Sequence, residues 1–157
     1  MPAPIFTALG DDKNDFIAVD GEIDWAILPA YTLPKQKTDM PIRLRVGDQS
    51  FGDKHIYEGH AKWLAQMRRT ACELIWEKLS LQGGKFYRGN KGRSNLYINL
   101  SPQCLLVLER QVDTATNTPF FSIVTVYQKQ PKKDDKEIGS YSSTYKNPKA
   151  NKALKKG

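Results

Sequence analysis

The chain has 157 residues, 39% of them hydrophobic, with a net charge of +7 and an isoelectric point near 9.4. That length allows one domain with a real core and is too short for two. Two cysteines, Cys72 and Cys104, are too few for a disulfide framework, and both sit in apolar surroundings that suit buried free thiols. No apolar run approaches the ~20 residues of a membrane span, and the N-terminus lacks the basic-then-apolar pattern of a signal peptide. The expected compartment is therefore the cytoplasm, reached by synthesis there or by delivery on a separate carrier.

Charge is unevenly placed. Residues 1–50 carry five Lys/Arg against eight Asp/Glu, a net of −3, whereas 51–157 carry nineteen against nine, a net of +10. A basic region of that size suits a polyanion such as nucleic acid. Residues 1–41 read as an irregular segment, with acidic turns around 11–15 and 20–22, apolar pieces at 16–19 and 25–28, and a proline-punctuated connector at 32–41. From 42 to 46 apolar and basic residues alternate, Ile42, Leu44 and Val46 against Arg43 and Arg45, which predicts a half-buried strand ending at Gly47.

The loop after that strand leads to both histidines of the chain, His55 and His60, with Lys54 beside the first. From 55 to 81 the pattern predicts one long helix, with Ile56, His60, Trp63, Leu64, Met67, Ala71, Leu74 and Ile75 on an apolar stripe and Gly83-Gly84 ending it. On a continuous helix, positions 55 and 60 lie about 140° apart. The two imidazoles can share a site only if His55 precedes the regular helix or the turn near Gly59 is distorted.

Beyond the helix the period changes to two. Strands are expected at 85–88, 95–100, 104–112, 120–128 and 138–145, with a basic hairpin loop at 89–93 and a basic, mobile tail at 147–157. The predicted fold is α+β: an irregular and helical N-terminal half, with one long helix packed on a four- to five-stranded antiparallel sheet. The far face of that sheet would display Tyr97, Asn99, Thr125, Tyr127, Ser142 and Thr144.

Two imidazoles titrating near neutrality, with cations aimed at a phosphate, are sufficient to cleave RNA without a metal or cofactor. A base takes the 2′-hydroxyl proton, the oxygen attacks phosphorus, and an acid protonates the leaving 5′-oxygen. His55 and His60 fit those roles. Lys54, Arg88, Lys91, Arg93 and Lys146 are candidate cations, and Ser142, Ser143 and Thr144 candidate phosphate donors. Tyr87, Tyr97, Tyr141 and Tyr145 can stack bases. Plainer readings stand beside these: His60 as a core residue on the apolar stripe, the tyrosines as sheet packing, the basic surface as solvated charge.

The run Gly52-Asp53-Lys54-His55-Ile56-Tyr57-Glu58-Gly59-His60 opens a long helix, and hairpin strands and a terminal Ser/Thr-Tyr strand follow it. Residues 42–146 thereby resemble the BECR superfamily of ribonucleases, which takes in barnase, EndoU, colicin-type tRNases and RelE with their phage and polymorphic-toxin relatives. The chain departs from many of them in lacking a glycine-rich stretch just before the first histidine, where only Gly47 and Gly52 stand. The resemblance implies a metal-independent endoribonuclease toxin, tRNA being the favoured substrate, restrained by an immunity protein or antitoxin. By position it carries the catalytic roles to His55, His60, Arg88 or Arg93, Ser142 and Thr144. Substrate contacts would fall to Lys54, Tyr87, Lys91, Tyr97, Tyr145 and Lys146. The alternative is a non-catalytic module binding RNA or single-stranded DNA with the same tyrosines and lysines. A metal-dependent hydrolase is disfavoured, because the His55–His60 spacing does not match the His-Glu-x-x-His helix.

Overall fold

The computed structural model describes residues 3–99 and 102–151. The N-terminal segment is not irregular. Its short apolar pieces form β1 (Phe6–Ala8), β2 (Phe16–Val19) and β3 (Ala26–Leu28), and its last two residues open β4 (Met40–Arg45). These strands bury Ile17, Ala18, Val19, Ala26 and Leu28 around a fully buried Trp25, whose indole N–H donates to the Ile17 carbonyl at 2.9 Å. Both β2 and β3 pair antiparallel with β4. Runs of three or four residues are too short to show a period, so only pairing with β4 identifies them as strands.

The expected helix over 55–81 is two helices, α1 (Gly52–Met67) and α2 (Ala71–Leu81). The chain turns left-handed at Arg68, with φ 56°, and the Arg68 and Arg69 amides return to the Ala65 and Leu64 carbonyls. Thr70 then starts α2 with a capping box: its hydroxyl accepts from the Glu73 amide at 3.1 Å, and the Glu73 carboxylate accepts from the Thr70 amide at 2.9 Å. Cys72 and Cys104 are buried free thiols, and Cys72 donates to Asp53 at 3.5 Å, tying α2 to the start of α1. Burial drives the Cys72 thiol pKa far up and that of Cys104 up to about 11.

Past α2 the period-two stretches become strands: β5 (Gly84–Arg88), β6 (Ser94–Ile98), β7 (Cys104–Asp113), β8 (Thr118–Tyr127) and β9 (Glu137–Tyr141). The expected last strand stops early, and 142–145 leave the sheet through a 3-10 turn at Ser143–Tyr145. The expected basic tail is a short 3-10 turn at Pro148–Asn151, and the rest of it lies outside the described residues.

A four- to five-stranded antiparallel sheet is thus the wrong picture. Among the described residues the sheet has nine strands and is mixed, in the order β1-β2-β4-β8-β7-β6-β5-β9 with β3 beside β4. The join is a parallel pairing of β4 with β8, Ile42 opposite Phe121, which fuses the N-terminal strands to the C-terminal meander. Cross-strand register separates the two faces. Phe86, Leu96, Leu106 and Val126 form a fully buried row on the face carrying α2. Tyr87, Asn95, Val107 and Thr125 form the neighbouring row on the other face, and Lys85, Tyr97, Leu105 and Tyr127 the next.

Candidate active site

Two glycines fix where α1 begins. Gly47 and Gly52 have φ of 78° and 79°, which L side chains rarely adopt. Their backbones cross in contact: a Cβ on Gly52 would lie 2.7 Å from the Arg45 carbonyl oxygen, and one on Gly47 would strike the Phe51 carbonyl. The Lys54 amide donates back to the Val46 carbonyl at 3.0 Å, so the first turn of α1 is bonded to the end of β4. His55 projects from that turn, its Nδ1 2.7 Å from the Gln49 carbonyl oxygen. A carbonyl can only accept, so Nδ1 carries the proton and Nε2 is the nitrogen that would accept.

The helix is distorted at the second histidine. His60 has φ −132° and ψ 20°, outside helical values, with Gly59 before it. Its half-buried ring stands edge-on to Trp63 at 5.9 Å and to Tyr127 at 5.7 Å. Burial lowers the His60 pKa below its ordinary value, and the charge of His55 lowers it further. His60 therefore stands beside the β8 end of the face that turns away from α2, with His55 five residues earlier in the first turn of the same helix.

That face is polar and lined with cations. A hydrogen-bonded chain crosses it: Arg45 Nε donates to Gln111 at 2.9 Å, Gln111 donates to Glu109 at 3.0 Å, and Arg93 grips Glu109 Oε2 through Nε at 3.0 Å and Nη2 at 2.9 Å. With Ser50, Phe51 and Val124, these side chains line a cavity of about 230 Å³ at the start of α1. Burial works to raise the Glu109 pKa, but the bonds from Gln111 and Arg93, with the guanidinium charge, outweigh it and hold the carboxyl low. Nearby, Lys129 lies 4.5 Å over the Tyr127 ring, and a smaller hollow of about 140 Å³ collects Arg88, Asn95, Lys129 and Lys132. The hydroxyls of Ser122 and Thr125 are buried and lack a protein partner among the described residues.

The candidates chosen from the sequence divide into two groups. His60, Arg93, Tyr87 and Tyr97 belong to this face or its rim, and His55 stands in the first turn of α1 against the Gln49 carbonyl. Lys54 is exposed on α1 beside Asp48, Gln49 and Ser50, and Arg88 and Lys91 are exposed on the hairpin. The structure does not bring Ser142, Thr144, Tyr145 and Lys146 to them. Tyr141 points into the core, its hydroxyl donating to the Leu79 carbonyl of α2 at 2.5 Å, and Tyr145 packs against its ring. Ser142 is spent on Thr144, Oγ to Oγ1 at 2.9 Å, and Lys146 bridges to Ala26 of β3. These four residues therefore lie on the α2 side, because the chain leaves the sheet after Tyr141.

Sequence reasoning overlooked Arg45, Glu109, Gln111 and Lys129. Alternation did put Arg45 on the polar side of its strand, and Glu109 and Gln111 share the same spacing on β7. Which strand lies beside which decides that they meet. Among the described residues, no three His, Cys, Asp or Glu side chains gather as metal ligands would. No protein-family model matches this chain, and no curated protein or solved structure matches it either.

Proposed function

We propose that the protein is a metal-independent endoribonuclease of the toxin kind, acting on RNA in the cytoplasm, with tRNA the favoured substrate and an immunity protein or antitoxin as its restraint. The observation that carries this reading is the break in α1 at His60, which sets that imidazole against Tyr127 of a cationic sheet face, five residues after His55. His60, kept neutral by its lowered pKa, takes the 2′-hydroxyl proton. The 2′-oxygen then attacks the adjacent phosphorus as the bond to the 5′-oxygen breaks. His55 gives that oxygen a proton from Nε2, while its Nδ1–H stays on the Gln49 carbonyl. The products are a 2′,3′-cyclic phosphate and a free 5′-hydroxyl. Arg93, with Arg45 behind it, offers positive charge to the phosphorane. Tyr87, Tyr97 and Tyr127 offer surfaces for unpaired bases.

The test is the chemistry of the ends. RNA incubated with pure protein and excess chelator is expected to acquire 2′,3′-cyclic phosphates, and His55→Ala and His60→Ala are each expected to slow this by about 10²–10⁴. Full activity in both variants refutes the assignment. The Lys129–Tyr127 stack favours a second reading, an RNA-binding module without chemistry, in which binding is measured but no cyclic ends form.

A further inference from the structure

A larger cavity lies on the other side of the sheet. It measures about 480 Å³ and is enclosed between the 29–40 loop and the hairpin that joins β5 to β6. Its apolar wall is Leu33, Met40, Phe121 and Ile138; its cations are Lys35, Arg88, Arg93 and Arg110, and no carboxylate lines it. Arg110 stands opposite Phe121 in the register, so it shares the face of that buried ring rather than the face of the histidines.

The loop wall is preformed. Gln36 is 3% exposed and pins the loop from inside: its amide donates to the Leu28, Pro29 and Thr38 carbonyls, and its oxygen accepts from the Leu33 amide. Gly139 of β9 lets that loop come in close, since a Cβ there would strike the Thr32 carbonyl. Among the described residues, the Arg88 and Arg110 guanidiniums have no hydrogen-bond or ion-pair partner, although both border this hollow. Two unpaired guanidiniums beside a flat apolar wall suit a ligand with one planar apolar part and one anionic part. The volume falls within the ~300–1,000 Å³ of small-molecule sites, and a guanidinium fork matches phosphate geometry.

We infer that this cavity binds a 5′-phosphorylated nucleotide, its base against Leu33, Met40 and Phe121 and its phosphate on Arg88 and Arg110. Its role as a second subsite for an RNA strand that passes round the β5–β6 hairpin rests on the ribonuclease reading; the binding itself does not. Arg93 stands at that turn, lining this cavity while its guanidinium holds Glu109 on the catalytic face.

The experiment is calorimetric titration of the full chain with 5′-AMP, adenosine, inorganic phosphate and poly-glutamate. Saturable binding of 5′-AMP is expected, with adenosine and phosphate each at least tenfold weaker. Arg110→Ala and Arg88→Ala should each weaken 5′-AMP at least tenfold, and Arg110→Lys should recover part of the loss. Both arginines are exposed, and circular dichroism of Arg110→Gln and Arg88→Gln provides a second, folded pair for the same titration. Absence of saturable 5′-AMP binding overturns the inference. So does binding indifferent to both arginines, or poly-glutamate competing as well as the nucleotide, which marks an acidic protein as the occupant. Cyclic phosphate ends formed by a protein that does not bind 5′-AMP leave the ribonuclease reading standing and remove only this site; 5′-AMP binding without cleavage does the reverse.

Discussion

If His60 is the base, the acid limb of the pH–rate profile is set by a histidine pushed below the ordinary value of about 6.5. Two causes lower it, burial first and the charge of His55 second. Activity on a fluorogenic RNA oligonucleotide, measured as kcat/KM from about pH 5 to 8, should therefore begin to fall only below pH 6.5. Removing the smaller cause tests the account. In His55→Ala the residual activity should have its acid limb moved upward, yet still short of 6.5, because burial remains. His60→Ala should lose the limb altogether, along with about 3–5 kcal/mol of barrier lowering, equivalent to roughly 10²–10⁴ in rate. Stability carries the same sign. A folded pKa below the unfolded one favours the native state above about pH 6.5, and that contribution is lost as pH falls from there toward the folded pKa. An acid limb above 6.5 in the wild type, or one that moves down in His55→Ala, refutes the reasoning.

Other substitutions probe the scaffold. Arg43 is nearly buried between the Phe16 and Phe120 rings and pairs with Asp24 at 2.6 Å and Asp113 at 3.2 Å. Arg43→Leu strands two partly buried carboxylates and should cost roughly 2–4 kcal/mol, discounted for their residual exposure. The matching fall in melting temperature is roughly 5–15 °C, and adding Asp24→Asn and Asp113→Asn should recover part of it. Thr70→Ala breaks the capping box of α2 and should lower the stability measured in urea by about 1 kcal/mol. Tyr141→Phe leaves the Leu79 carbonyl buried without its donor, a loss of about 1–3 kcal/mol by the same measurement. Gly52→Ala forces a side chain into a positive-φ position against the Arg45 carbonyl, so α1 must shift. RNA cleavage should fall at least as far as stability does, and wild-type cleavage would contradict the placement of His55 by that crossing.

The C-terminal meander was legible because β5 and β6 alternate, β7 and β8 are rich in aliphatic and β-branched residues, and turns separate them. Thr125 and Tyr127 were assigned to the face away from the helix, as the register has them. Ile56, Leu64, Leu74 and Ile75 were placed correctly on a buried stripe, although the helix breaks between them. The Thr70-Ala71-Cys72-Glu73 capping signature was present in the sequence, but the left-handed turn falls on Arg68, where no glycine marks it. Strands as short as β1 and β3 have no period to read, and the β4–β8 pairing is a property of distant residues that no local pattern encodes. The candidate site inherits both limits. Its histidines were visible as residue types at a spacing, whereas Glu109 and Gln111 depend on the pairing, and Ser142 and Thr144 were assigned to a strand that ends before them.

That parallel pairing also governs when the molecule can be completed. Ile42 and Phe121 are about 80 residues apart along the chain, so the N-terminal strands wait for a partner that the ribosome makes late. A nascent chain that has reached the turn before β8 already carries both imidazoles but lacks Tyr127 and Thr125 and has no strand to seat β4. If the protein cuts RNA as proposed, synthesis itself would then keep the blade sheathed until β8 has emerged.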